Sequence, residues 1–241
     1  MISSTLSLKD NCKLIVAWCM VKLGKLTYDD FSQQELQSLV ESSFPYTFTF
    51  EIPIGTGTVN VLEGRVTLDN VTNRIGLQCL ASLNIVVASN TIYRAHVIFA
   101  LSTTPNYDRE TKTVFLNQLR TDAITLVNDD YALIKDTHYL LSRFFPRSVN
   151  SLLSGSLKSA LSLFTAGTSD MAADYLKLYL SGSKQAILDY HKPQIDAAIR
   201  KQISEDKLCH QLSKDQWREV LFAKHGESVR VEENVLRFYL A

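Results

Sequence analysis

The sequence predicts an α+β fold in which a curved antiparallel β-sheet wraps around a long apolar α-helix, with a helical insertion toward the C-terminus. Three observations predict it. Residues 46–127 contain successive apolar and β-branched runs joined by short polar connections, the signature of an antiparallel meander with one buried face. From about Leu133 to Phe164, apolar residues recur at helical spacing and the other positions are mostly small. No Asp or Glu falls between Asp136 and Asp170. A helix facing solvent is normally charged on its outer side, so this one is expected to be approached closely on several sides.

Composition sets the frame for these elements. The chain has 241 residues, 46% of them apolar, enough for one large domain or two small ones with a sizeable core. Nine glycines and five prolines are about half of the average share, which argues against disorder and against a fold built mostly from loops. The 25 basic and 25 acidic side chains cancel. A general nucleic-acid binder needs surplus Lys and Arg for phosphate contacts, so no nucleic-acid partner is expected.

The first element is an N-terminal helix within residues 1–26. Lys13 and Lys22 bracket eight unbroken apolar residues, Leu14 to Val21, far short of the roughly 20 that span a bilayer. No transmembrane span is expected. Val16-Ala17-Trp18-Cys19 is similar to a lipoprotein cleavage box, but Trp18 stands where a small residue belongs. The segment reads instead as a buried or partner-docking helix. Cys12 and Cys19 lie in or beside this run and Cys79 lies in an alternating strand, so they read as small buried hydrophobes. With Cys209 they form no Cys-x-x-Cys, and a disulfide framework belongs to smaller, core-poor chains.

Ser32-Gln33-Gln34-Glu35 has the spacing of a capping box and opens a short helix to about Ser42. Leu36, Leu39 and Val40 share one of its faces, with Phe44 just beyond. Strands follow at Tyr46–Pro53 and Val59–Leu68, the second with a change of phase near Gly64 that predicts a bulge. Ile75, Leu77, Cys79, Ala81, Leu83, Ile85 and Val87 then alternate without a break. After Ser89-Asn90, Tyr93, Ala95, Val97, Phe99 and Leu101 alternate likewise, with Arg94, His96 and Ser102 between them. Asp108 to Lys112 is a charged turn before Val114-Phe115-Leu116.

Pro146 is expected to kink the long helix or to begin a new one. Residues 165–223 are read as a helical insertion with stretches at Ser169–Leu180, Ser183 to about Ser204 (interrupted near Pro193) and Lys214–Phe222. Its charges, including Arg200-Lys201 and Glu205-Asp206-Lys207, suggest a helical subdomain or protein-contact arm.

A pattern of strand phases and turns carries a family resemblance. Gln34-Glu35-Leu36, Val66-Thr67-Leu68, Ile75-Gly76, Tyr107-Asp108 followed five residues later by Val114-Phe115-Leu116, and the long apolar helix together resemble the YceB-like family of bacterial envelope lipoproteins. Lys224 to Leu240, with Val229-Arg230-Val231 and Val235-Leu236-Arg237-Phe238, resembles that family's final strand. The likeness covers residues 27–164 and 224–240. It implies a small relative of the tubular lipid-binding superfamily, in which a sheet wraps a helix and can leave an apolar groove. It brings no enzymatic activity and points to the bacterial periplasm or a membrane-associated place. Two features depart from it: the chain has no convincing lipoprotein signal, and residues 165–223 are unusually long.

Catalytic and metal signatures are missing from the sequence. There is no Gly-x-Ser-x-Gly elbow, phosphate loop, dinucleotide fingerprint or His-Glu-x-x-His. Gly155-Ser156 and Gly182-Ser183 lack the flanking pattern of a nucleophile. The histidines at 96, 138, 191, 210 and 225 never fall at metal-ligand spacing, and His96 reads as a solvent-face strand residue. Asp129-Asp130 reads as a turn and Glu232-Glu233 as a solvated strand end. Arg143, Arg147 and Lys158 give the long helix positive charge, for solubility or for a lipid headgroup. No catalytic residue, metal or cofactor is expected.

Two functions fit these readings. The first is non-enzymatic binding of lipid or another apolar ligand between sheet and long helix, driven by about 0.8 kcal/mol per buried CH₂. Leu77, Leu83, Ile85, Val97, Phe99, Val149, Leu152, Leu153 and Phe164 are the candidate lining residues, although each would serve equally as core. The second is a protein-interaction or assembly component with a filled version of the fold, using residues 165–223 as its contact surface.

Overall fold

The segment around Ser32 is built by local signals. In the computed structural model, residues 6–52, 55–87, 90–127, 183–203 and 208–241 are described. Ser32 ends β1 (Tyr28–Ser32) and caps α2 (Gln33–Glu41): its hydroxyl accepts from the Glu35 amide, and the Glu35 carboxylate accepts from the Ser32 amide at 2.8 Å. The expected capping box is therefore present, residue for residue.

The main sheet is antiparallel and six-stranded, in the order β2 (Tyr46–Ile52), β3 (Gly55–Asp69), β4 (Arg74–Val87), β5 (Asn90–Asp108), β6 (Thr113–Leu126), β7 (Cys209–Gln211). It is strongly curled into a half-barrel. The expected bulge falls in β3, where the register slips between Val61 and Glu63. Leu62 is the extra residue and turns outward, so burial passes from Val59 and Val61 to Gly64 and Val66. At Gly64 an added Cβ would stand 2.5 Å from the Phe44 ring, which would have to shift to admit it.

The hollow of this sheet is filled by α3 (Lys184–Gln202). Ile187, Leu188, His191, Ile195, Ala198 and Ile199 form one buried stripe at helical spacing. Its apolar members join Phe48, Phe50, Leu83, Ile85, Val97, Phe99 and Ile124 in one cluster, and the His191 ring lies 6.2 Å from that of Phe50. The helix touches β2 and β6, near opposite margins of the curled sheet, and so closes its open side. The expected interruption near Pro193 does not occur. Pro193 lies on the exposed side of α3, and the buried stripe resumes at Ile195 in phase with His191.

Residues 165–223 were expected to form a helical subdomain or protein-contact arm, and only 183–203 and 208–223 of them are described. Of these, α3 is core, and α4 (Trp217–His225) packs on α1 (Leu8–Lys22). Charges on the exposed side of α3, among them Lys192 and Arg200, reflect ordinary amphipathicity. The long apolar helix expected over Leu133–Phe164, the helix expected over Ser169–Leu180 and the Asp129-Asp130 turn lie outside the described residues.

A second sheet holds the two ends of the chain together, with β1, β9 (Val235–Leu240) and β8 (Gly226–Glu232) in that order. The closing segment was expected to be one strand returning to the main sheet. It is instead a hairpin whose Glu233-Asn234 turn has φ of 50° and 63°, the conformation that matches the twist of the flanking strands. Leu14, Ala17 and Val21 of α1, Val220, Leu221 and Phe222 of α4, and Val229, Val231 and Leu236 of the hairpin form its core with Val114 of β6. Cys79 is buried as expected and its thiol is pushed up to about 12 by desolvation. Cys12 and Cys19 are exposed, contrary to expectation, because only Asn11, Leu14, Ala17 and Val21 face inward on α1.

Candidate functional site

Between the two clusters, the apolar face of the main sheet is left partly open. Halfway along β3, the chain loses β2 as a partner, because β2 begins opposite Val61. The unpaired edge beyond it is covered by side chains of α2. Gln37 accepts from the Val66 amide at 2.8 Å and donates to the Gly64 carbonyl at 2.9 Å, and Gln33 donates to the Val66 carbonyl at 2.7 Å. Two glutamines one helical turn apart thus stand in for a neighbouring strand.

This attachment carries the Leu36, Leu39, Val40 stripe of α2 to the mouth of an apolar cleft of about 500 Å³. Val66, Ile75, Val114 and Leu116 of the main sheet form its floor. Phe31 of β1, Leu236 and Phe238 of β9, and Phe222 of α4 form the opposite wall, while Leu208, Cys209 and Leu212 close one end. The aromatic wall is continuous: Phe31 and Phe238 lie 5.1 Å apart by centroid, Phe222 meets Phe238 edge-on at 4.9 Å, and Tyr107 backs Phe222 at 4.5 Å. A volume between about 300 and 1,000 Å³ is characteristic of small-molecule sites.

The charged groups of the lining are engaged with one another. Arg218 donates from Nε and Nη2 to the two oxygens of Asp29 at 2.6 and 2.7 Å, and its Cζ lies 4.2 Å from the centre of the Phe31 ring. The Asp29 hydrogen bonds raise the Arg218 pKa further. Glu35 is held below the ordinary carboxylate range, first by its Ser32 backbone and hydroxyl hydrogen bonds and then by Arg218. Glu219 accepts from the Ser213 amide at 2.5 Å and lies 3.1 Å from His210 Nε2. These pairs satisfy the charged groups of the lining.

A larger groove, of about 1090 Å³, runs along α2 and β3. Its lining mixes Gln33, Gln34, Gln37, Glu63 and Arg65 with Phe44 and Leu62, so an apolar ligand would bury less against it. Among the described residues, no group of three His, Cys, Asp or Glu is placed to hold a metal ion. No helix among them is long and apolar enough to cross a membrane.

The sequence-derived lining residues fall elsewhere. Leu83, Ile85, Val97 and Phe99 come together on the concave face, packed in the α3 cluster and at most 2% exposed. Leu77 is half-buried at the margin of that cluster. Val149, Leu152, Leu153 and Phe164 lie outside the described residues. The α2 stripe shows in the sequence as a shared apolar face, with no sign there that it borders a cleft. What distinguishes it is that α2 buries none of its residues completely and leaves Leu39 65% exposed. Glu232-Glu233 lies at the exposed end of β8, as expected, and both carboxylates also meet Arg237, at 3.5 and 3.2 Å, while Glu232 accepts from Tyr239 at 2.5 Å.

A family model described as a protein of unknown function, DUF1439, matches residues 31–155. That span includes β2 to β6, α2 and the floor of the cleft. No curated protein matches the chain.

Proposed function

We propose that this chain, which belongs to the DUF1439 family, binds an apolar ligand such as a lipid acyl chain in the cleft between α2, the main sheet and the β1–β9–β8 sheet, without catalysing a reaction. The cleft itself carries the reading: a largely aromatic and aliphatic space of about 500 Å³ whose charged lining groups Asp29, Arg218 and Glu219 are engaged in ion pairs and hydrogen bonds of their own. Burial of acyl chain there would drive binding at about 0.8 kcal/mol per CH₂. The resemblance to the YceB-like lipoproteins and to tubular lipid-binding proteins supports the same reading, and with it an envelope-related role. The cleft lies apart from Leu83, Ile85, Val97 and Phe99, which pack in the α3 cluster.

Native mass spectrometry after gentle purification should show bound lipid, and delipidated protein should take up a fluorescent fatty acid. Leu39→Glu should abolish uptake while the fold persists, since Leu39 is already 65% exposed. Protein recovered empty that takes up no fatty acid would overturn the proposal, as would undiminished uptake by Leu39→Glu.

A further inference from the structure

Five of the eleven large apolar side chains exposed among the described residues fall on α1 and the residue after it: Leu8, Ile15, Val16, Met20 and Leu23. Scattered exposed apolar residues are normal, but these are contiguous. Positions 8, 12, 15, 16, 19 and 23 are spaced so that they share one outward stripe, and the two cysteines among them are exposed as well. The opposite face, Leu14, Ala17 and Val21, is packed against the rest of the protein. Helix α1 is therefore apolar on both sides, and among the described residues only one side is covered.

Its charges flank the bare stripe. Lys9 and Lys22 border it on either side, and Lys25 follows in the next turn of chain, all three exposed. Lys13 lies further round, paired with Asp10 at 3.1 Å and placed over the Trp217 ring. Asp10 is the only acid on the helix. An exposed apolar stripe between lysines is complementary to a surface that is apolar below and anionic above.

We propose that the outward stripe of α1 inserts into the surface of an anionic lipid bilayer, with the helix lying in the interfacial plane and the lysines at headgroup level. The protein body takes the place of the polar face that isolated interfacial helices present to water. The proposal rests on α1 and is independent of the cleft.

Flotation of the full chain with phosphatidylcholine vesicles, with and without phosphatidylglycerol, tests it. Binding should require phosphatidylglycerol and weaken as salt is raised. Val16→Glu and Leu23→Glu should each lower the bound fraction by roughly tenfold or more, with unchanged thermal melting. Val71→Glu, at a position 94% exposed in the turn between β3 and β4, should float as the parent does. Absence of flotation by the parent chain, or equal flotation by the two α1 variants, would overturn the proposal. A dimer of the parent chain that either glutamate splits would also overturn it, since a second copy would then cover the stripe.

Discussion

Arg218 and Asp29, 189 positions apart in sequence, form a two-pronged ion pair that ties α4 to β1, with N–O distances of 2.6 and 2.7 Å. The next residue, Asp30, makes the equivalent pair with Arg237 of β9 at 2.9 and 3.0 Å. Neighbouring strand residues point to opposite faces, so the two aspartates lock β1 from both sides.

Arg218→Met should therefore cost about 2 kcal/mol of stability, the range for hydrogen bonds to a charged group at a partly buried site. Arg218→Lys should recover little of it, because an ammonium cannot reproduce the planar fork or lie flat on Phe31. Denaturant unfolding of Arg218→Met, Asp29→Asn and the double variant would measure this. Additive losses would show that the pair is not coupled.

Gln37 supplies a second test. Replacing it with Leu leaves the partly buried Val66 amide and Gly64 carbonyl without their side-chain partner. A loss of about 1–3 kcal/mol is expected for groups deprived in this way. The uncovered β3 edge also becomes available for pairing with another chain. Sedimentation velocity should show concentration-dependent association of Gln37→Leu under conditions where the parent chain gives one species.

His191 links the core to pH. It is completely buried in the α3 cluster, and desolvation pushes its pKa down to about 4 from 6.5. The unfolded chain therefore binds one more proton than the folded chain between those values. The resulting stability is fully present above 6.5 and is lost as pH falls toward about 4, by about 1.4 kcal/mol per pH unit and about 3 kcal/mol in all. Urea unfolding of the parent chain and of His191→Leu across this window should show that component in the parent alone. Parallel pH profiles would contradict it.

Local signals carried much of the fold into the sequence. The Ser32–Glu35 box, the β4 alternation and the β3 phase change each depend on residues within a turn or a strand of one another. Non-local pairings did not show. Tyr28-Asp29-Asp30-Phe31-Ser32 reads as polar, and it is a strand because its two carboxylates are met by arginines 189 and 207 positions away. The cleft stayed hidden for a similar reason: Leu36, Leu39 and Val40 have the chemistry of core, and only the placement of α2 on a half-paired strand leaves them open.

The choice of helix that fills the half-barrel gives the last prediction. Ile187, Leu188, Ile195 and Ile199 make a stripe as regular as that of any surface helix, set among Lys184, Asp189, Lys192, Asp196 and Arg200. An arm held outside the fold would tolerate shortening of these side chains. In the structure Leu188 and Ile195 are completely buried beneath the curled sheet, so Leu188→Ala and Ile195→Ala should each cost about 2–5 kcal/mol. Lys192→Ala, on the partly exposed side and paired with Asp189 at 2.7 Å, should cost less than about 1 kcal/mol. Thermal and denaturant unfolding would separate the cases. Equal, small losses at all three positions would mean that α3 does not close the sheet.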